Sequence, residues 1–183
     1  MKNSGKGFSL IEVMVSLVIM VIGLIGIFNL HIVAKRGSFE SFQQTQASYY
    51  ANDIINRMKL NSTQLASYAG TYSGIPSSAT ACNAAACTPS QMQLRDIYEW
   101  QSSFTGADET VGSQNVGGLD TPTACIEVNT DTVTNTNTVT VVLAWRGIRK
   151  TTIDTGSPIV DTSTSCAASK ENRRIFSIRT VII

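Results

Sequence analysis

A single carboxylate interrupts the most apolar stretch of the chain. The sequence GKGFSLIEVMVSLVIMVIGLIGIF runs from Gly5 to Phe28, and Glu12 is its only acidic residue. A carboxylate at the centre of a bilayer costs about 3 kcal/mol on insertion scales, so acidic residues in membrane helices are functional candidates. Cleavage of the chain between Gly7 and Phe8 would leave an α-amine on Phe8, four residues before Glu12. Because that amine could neutralise Glu12 of a neighbouring copy, the spacing predicts a contact between subunits. The alternative is an interfacial glutamate that reaches the lipid headgroups and has no further role.

The cysteines are the second group of residues with reactive chemistry. Four cysteines, Cys82, Cys87, Cys125 and Cys166, allow three disulfide pairings, and the sequence does not choose among them. No C-x-x-C pair is present and the only histidine, His31, lies in the apolar run, so we expect no metal site. An even number of cysteines beyond an export anchor favours disulfides in an oxidising compartment. We favour the pairs Cys82–Cys87, which would close a small ring, and Cys125–Cys166, which would tie a strand to a long loop.

Composition and motifs argue against an enzyme and against a nucleic-acid-binding protein. The only histidine lies inside the apolar run, which excludes a His-based triad. The chain also has no phosphate loop, dinucleotide fingerprint or G-x-S-x-G turn, so we expect no catalytic residues and no cofactor. Residues 34–183 contain 12 Lys and Arg against 12 Asp and Glu, which gives no electrostatic footprint for a polyanion. Only 15% of residues are charged, against about 25% in typical soluble domains. This composition is typical of a secreted, loop-rich surface.

The apolar run is long enough to cross a membrane as a helix. Residues 13–33 carry no charged side chain, and a helix of that length spans about 30 Å, the thickness of a bilayer core. Lys2 and Lys6 precede the run and Lys35 and Arg36 follow it, so the charge rule favours a cytoplasmic N-terminus only slightly. No A-x-A-like cleavage site follows the run. A signal in this chain must therefore be cut on its cytoplasmic side, which leaves the apolar helix on the mature protein.

The helical pattern continues beyond the membrane segment. Apolar residues recur at helical intervals and predict a stripe on one helix face: Phe39, Phe42, Ala47, Tyr50, Ile54 and Met58. Polar residues, including Gln43, are predicted to lie on the other faces. We expect one helix from about Phe8 to Leu60, ended by Asn61-Ser62-Thr63. The chain then divides into a leader (1–7), a transmembrane helix (8–33), its amphipathic continuation (34–60) and a globular head (61–183).

The head is predicted to contain a short helix and a small antiparallel sheet. Residues 61–88 resemble a long surface loop, and Thr88-Pro89-Ser90-Gln91 is a capping box that predicts a helix over 89–104. The alternation of Ala124, Ile126 and Val128 with Cys125 and Glu127 predicts a strand at 124–128. Further strands are expected over 138–146 and 174–183, with loops at 129–137 and 147–172. The sequence thus indicates an α+β fold whose sheet packs on residues 34–60.

The motif G-F-S-L-I-E-V, Gly7 to Val13, resembles the class III signal of type IV pilins and type II secretion pseudopilins. That pattern is a short basic leader ending in Gly, then Phe, then an aliphatic helix with Glu at its fifth residue. The resemblance implies cleavage after Gly7 by the prepilin peptidase, N-methylation of Phe8, and a role for Glu12 in docking into the growing filament. It also implies the type IV pilin fold.

The remainder of the chain is similar to the type IV pilus modification protein PilV family. A-S-Y-Y-A-N-D-I-I-N-R-M-K-L-N matches the family ending D-x-x-x-R-(M/I)-(R/K)-x-N through Asp53, Arg57, Met58 and Asn61. Paired cysteines followed by A/L-x-D-x-x-x-W also match, through Cys82, Cys87, Asp96 and Trp100, and V-V-L-A-W-R-G at 141–147 resembles a family strand. One departure is Gly117-Gly118-Leu119-Asp120, where the family has an L-P-x-G-like turn.

This resemblance implies a minor pilin of low copy number that joins other minor pilins to prime pilus assembly at or near the tip. The implied partners are other minor and major pilins, the prepilin peptidase, the inner-membrane assembly platform and membrane lipid. The implied location is the inner membrane, with a single span and a periplasmic head, and later the pilus surface. Two alternatives stay open: a minor pseudopilin of a type II secretion system, and an adhesion module at the pilus tip.

Overall fold

The computed structural model describes residues 7, 9–78, 86–149, 166 and 172–183. Phe8 and Cys82, and most of the predicted loop at 147–172, lie outside these ranges. The chain divides into two compact units, with the boundary between Ser41 and Phe42. Each unit has its own set of internal contacts.

The first unit consists of the beginning of helix α1, which runs over Leu10–Leu60. The helix starts where the N–H groups of Glu12 and Val13 donate to the carbonyl of Ser9, at 3.0 and 3.3 Å. It contains the one segment of the described chain that is long and apolar enough to cross a membrane, and none of that segment is buried. This agrees with the predicted apolar anchor by length and composition.

The second unit begins with the last part of α1, which is amphipathic. Its buried residues are Gln43, Ala47, Tyr50, Ala51, Ile54, Ile55 and Met58. The predicted stripe is therefore confirmed from Ala47 onward, whereas Phe39 and Phe42 are 46% and 58% exposed. The expectation for Gln43 was also wrong, because its side chain is only 2% exposed. The five-residue step from Phe42 to Ala47 turns a helix by about 140°, which carries Phe42 away from the buried face.

The segment after α1 differs from the long loop that we expected at 61–88. A 3₁₀ helix covers Ser62–Tyr68 and buries Leu65 and Tyr68. Strand β1, Gly70–Ser73, follows it directly. The end of α1 at Leu60 agrees with the predicted stop at Asn61.

Helix α2 covers Pro89–Thr105 and begins with the predicted capping box. The hydroxyl of Thr88 accepts from the Gln91 N–H, and the Gln91 side chain accepts in return from the Thr88 N–H. The helix ends at Gly106, whose φ of 69° is left-handed and favours glycine.

The turn at Gly117–Asp120, where the sequence departs from the PilV pattern, packs against the end of α2. The Leu119 N–H donates to the Phe104 carbonyl at 2.9 Å. Gly118 has a φ of +75°, and a Cβ there would lie 2.5 Å from the Gly106 nitrogen. The close approach of the two backbone segments therefore requires glycine at this position.

Strand β4 is Thr123–Asp131, β5 is Thr136–Arg146 and β6 is Arg173–Ile182. Together with β1 they form an antiparallel sheet of four strands in the order β1-β4-β5-β6. A separate two-stranded ribbon pairs β2, Thr110–Val111, with β3, Gln114–Asn115. The three predicted strands are present, while β1 and the ribbon were not predicted. Buried Ala124 and Ile126 alternate with half-buried Cys125 and Glu127, as expected.

One hydrophobic core joins α1, α2 and the sheet in the second unit. It contains both tryptophans, Trp100 of α2 and Trp145 of β5, together with Ile54 and Met58 of α1 and alternate residues of β4, β5 and β6. The Trp100 indole N–H donates to the Tyr50 carbonyl at 2.8 Å and so fixes α2 against α1. The molecule is an α+β protein in which a long N-terminal helix packs on a small antiparallel sheet, an architecture consistent with a pilin fold.

Candidate functional site

The N-terminal motif places Glu12 in the first turn of α1, where its side chain is exposed. Its main-chain carbonyl accepts from the Ser16 hydroxyl at 2.6 Å. No cation of the described part of the chain lies within ion-pair distance of its carboxylate. Helix N-terminal amides stabilise a nearby carboxylate. Because its side chain is exposed and pairs with no described cation, the carboxylate of Glu12 is accessible to a positive group from another molecule.

The residues of the processing site are described only in part. Gly7 is exposed and precedes the helix, which is a position that a peptidase can reach. Phe8, the predicted site of cleavage and methylation, lies outside the described residues. Gly7 and Glu12 stay the predicted processing and docking residues.

The described cysteines are all disulfide-bonded. Cys125 of β4 is joined to Cys166, with the two Cα atoms 5.8 Å apart. The bond covers a sequence separation of 41 residues and ties Cys166 to the sheet. Cys87 is also disulfide-bonded, but Cys82, its predicted partner, lies outside the described ranges.

A polar cluster joins the end of α1 to α2, with Arg57 at its centre. The Arg57 Nε donates to Asp53 at 3.0 Å. Its Nη1 donates to Asp96 at 3.2 Å and to Glu99 at 2.9 Å. The other oxygen of Glu99 accepts from Arg95 at 2.7 Å. One guanidinium thus links carboxylates from two helices that are separated by about 40 positions in the sequence.

Two further residues extend this cluster to the 3₁₀ helix. The Tyr68 hydroxyl donates to Asp96 at 2.6 Å, and the side-chain amide of Asn61 donates to the Tyr68 oxygen at 3.2 Å and to the Pro89 carbonyl at 2.8 Å. Tyr68 is completely buried. The cluster therefore holds the end of α1, the 3₁₀ helix and α2 together.

The electrostatics of the cluster follow from burial and hydrogen bonding. Burial alone would lower the pKa of Arg57, but its hydrogen bonds to Glu99, Asp53 and Asp96 outweigh burial and raise that pKa. Burial, reinforced by the hydrogen bond to Asp96, raises the pKa of Tyr68. The hydrogen bond from Arg57 lowers the pKa of Glu99. At neutral pH Arg57 and Glu99 are charged and Tyr68 is a neutral donor.

The side chains of the cluster bind one another, so the role of the cluster is structural. All its carboxylates contact arginine, and the described residues contain no group of three or more His, Cys, Asp or Glu that could hold a metal ion. Asp53, Arg57, Asn61 and Asp96, which carry the PilV resemblance, are brought together here. The sequence analysis missed Tyr68, Arg95 and Glu99. The spacing of four residues from Arg95 to Glu99 predicts an ion pair on one helix. No pattern in the neighbouring sequence identifies Tyr68 as part of the cluster.

Comparison with known proteins identifies the N-terminal segment. The profile of the family described as "Prokaryotic N-terminal methylation motif" matches residues 2–28. The match includes Gly7, Phe8 and Glu12, and the motif indicates a type IV pilin-like or pseudopilin precursor. Neither the curated proteins nor the solved structures include a match to this chain.

Proposed function

We propose that this chain is a minor type IV pilin that helps to prime pilus assembly, within a complex of minor pilins at or near the tip. The observation that carries the proposal is the methylation motif over residues 2–28, which introduces a helix of exposed apolar residues that are interrupted by Glu12. Such a helix is stable only in lipid or packed against similar helices.

The proposed mechanism begins with processing. The prepilin peptidase cleaves after Gly7, and Phe8 becomes the methylated N-terminus. The amine of Phe8 on one subunit then approaches the carboxylate of Glu12 on its neighbour as the two helices leave the membrane together. An isolated carboxylate is costly in these apolar surroundings and a paired one much less so. The pairing therefore favours docking in one axial register.

The same proposal assigns the other partners and the location. Before assembly the subunit is held in the inner membrane by α1, with the head in the periplasm, where disulfides are stable. The four cysteines, including the Cys125–Cys166 bond, suit that compartment. Assembly then brings in the inner-membrane platform and the other minor and major pilins.

The test is the mass of the N-terminal peptide, isolated from cells with and without the prepilin peptidase. We expect a peptide that begins at methylated Phe8 and is lost without the peptidase. A peptide beginning at Met1 in both strains would refute the proposal. Piliation is then compared between cells that carry the Glu12→Val variant and cells that carry the Glu12→Asp variant, provided that both variants are cleaved. Loss with Val and partial retention with Asp supports the docking role, whereas normal piliation with Val contradicts it.

Pseudopilins of type II secretion systems carry the same N-terminal motif, so location distinguishes the two functions. We expect the protein in sheared surface filaments. Detection only with a secretion machine, with secretion lost in a deletion strain, would assign the chain to the pseudopilins.

A further inference from the structure

Strand β6 is an edge of the sheet, because the strand order ends with it. Its ten residues pair with β5 in unbroken register, from Asn137–Ile182 to Arg146–Arg173. Among the described residues no strand pairs with its other side. Alternate residues of an antiparallel strand direct their hydrogen bonds to opposite sides. From Ile175 to Ile182 the main-chain groups on the outer side of β6 therefore pair with no strand of the described chain.

This edge has little of the protection that isolated sheets use. Natural edge strands are commonly very short, bulged, broken by proline, charged, or covered by a helix or loop. Strand β6 contains no proline and no bulge. Its exposed charge is Arg179, which makes no ion pair with any described carboxylate, and its exposed apolar side chain is Val181, at 54%. Both features fit a partner strand with a carboxylate opposite Arg179 and an apolar residue beside Val181.

The direction of the strands indicates what kind of partner fits. Each neighbouring pair in the order β1-β4-β5-β6 is antiparallel, so β1 and β6 run in opposite directions. If two heads of this topology lie edge to edge in the same orientation, β6 of one meets an antiparallel strand of the other. The outer edge of β6 therefore fits a partner head that has the same orientation.

We propose that the outer edge of β6 docks on an edge strand of the adjacent head, which belongs to a different pilin-type subunit, and extends its sheet. The inference rests on the proposed function. A second copy fits poorly, because its β1 offers only four residues, Gly70–Ser73. The contact is heterologous, so it joins neighbours along an assembly rather than closing a symmetric dimer.

The experiment places a photo-crosslinking amino acid at Val181 of the full-length protein in pilus-forming cells. The matched control places it at Val133, which is 92% exposed in the β4–β5 turn. We expect a cross-link from position 181 to another subunit that carries the prepilin signal, at least tenfold stronger than from position 133. A cross-link to a second copy of this chain, or to a protein without that signal, or no excess over position 133, would overturn the inference.

Two proline variants then test whether main-chain hydrogen bonds carry the contact. Ser177 and Thr180 lie an odd number of positions apart, so one N–H faces β5 and the other faces outward. We expect one of Ser177→Pro and Thr180→Pro to keep the head protease-resistant while reducing the cross-link at least tenfold. An unreduced cross-link in the folded variant contradicts strand pairing. Cleavage before Phe8 is measured in the same samples: processed protein without the cross-link refutes this inference alone, whereas unprocessed protein refutes the proposed function.

Discussion

Removing the guanidinium of Arg57 tests whether the polar cluster holds the head together. In Arg57→Met the aliphatic stem is retained and the contacts to Asp53, Asp96 and Glu99 are lost. Asp96 is the most buried of these partners, with 11% of its side chain exposed, and would keep only the hydrogen bond from Tyr68. A charged hydrogen bond at such a site contributes about 1.5–3 kcal/mol, and the two more exposed ion pairs contribute less than about 1 kcal/mol each. We therefore expect a loss of about 2–4 kcal/mol in the free energy of unfolding.

The assay is urea unfolding of the full-length protein in detergent, followed by the fluorescence of the two buried tryptophans of the head. Arg95→Met is the control, because Arg95 contacts only Glu99 at an exposed position and should cost about 0.5 kcal/mol. Arg57→Lys should fall between the two, since one ammonium cannot reproduce the directed donors of a guanidinium. Equal losses for Arg57→Met and Arg95→Met would show that the contacts of Arg57 stabilise the protein no more than an exposed ion pair does. That result would contradict the prediction.

Three other predictions concern the turns, the pH dependence and the disulfide. Gly118→Ala should destabilise the head by more than about 2 kcal/mol, whereas Gly74→Ala, also at positive φ but with nothing within 4 Å of its Cβ, should cost about 1 kcal/mol; equal losses in urea unfolding would contradict the close backbone approach. Because the pKa of Tyr68 is raised in the folded head, its contribution is present below pH about 10 and is lost as the pH rises beyond that value; this alkaline loss should be smaller in Tyr68→Phe, where the buried Tyr50 and Tyr72 still contribute, and an undiminished loss there would refute the assignment. Cys125→Ala, which breaks the bond across 41 positions, should cost about 4 kcal/mol by loop entropy, and a thermal midpoint within 2 °C of the unaltered protein would contradict the estimate.

The sequence predicted the elements whose signals are local. The capping box located α2, and period-two alternation located β4, since both depend on neighbouring residues. Strand β1 has no such signal: its four residues, Gly70–Ser73, become a strand only by pairing with β4, at least fifty positions away. Periodicity also failed to distinguish Phe42, which is exposed, from Gln43, which is buried, because residue type outweighed helical phase in that prediction.

The candidate site was predictable in its parts but not in its assembly. Glu12 was identified by an unusual residue type in apolar surroundings, which requires no tertiary information. Asp53, Arg57, Asn61 and Asp96 were known only as positions of a family resemblance, and their common cluster depends on how α2 packs against α1. Tyr68 could not be found from the sequence, because its role depends on burial between elements that are distant in the sequence.

This cluster changes what the PilV-like motif can be taken to mean. Its residues bind one another, since Arg57 contacts both Asp53 and Asp96 while Asn61 and Asp96 share Tyr68. Polar residues whose hydrogen bonds are satisfied within the fold stabilise that fold and need not touch a partner. The motif therefore supports the architecture of the head, and a pseudopilin with the same architecture would need the same residues. The choice between pilus and pseudopilus must depend on surfaces that the cluster leaves exposed, and the open edge of β6 is the surface where a difference in partner can be measured directly.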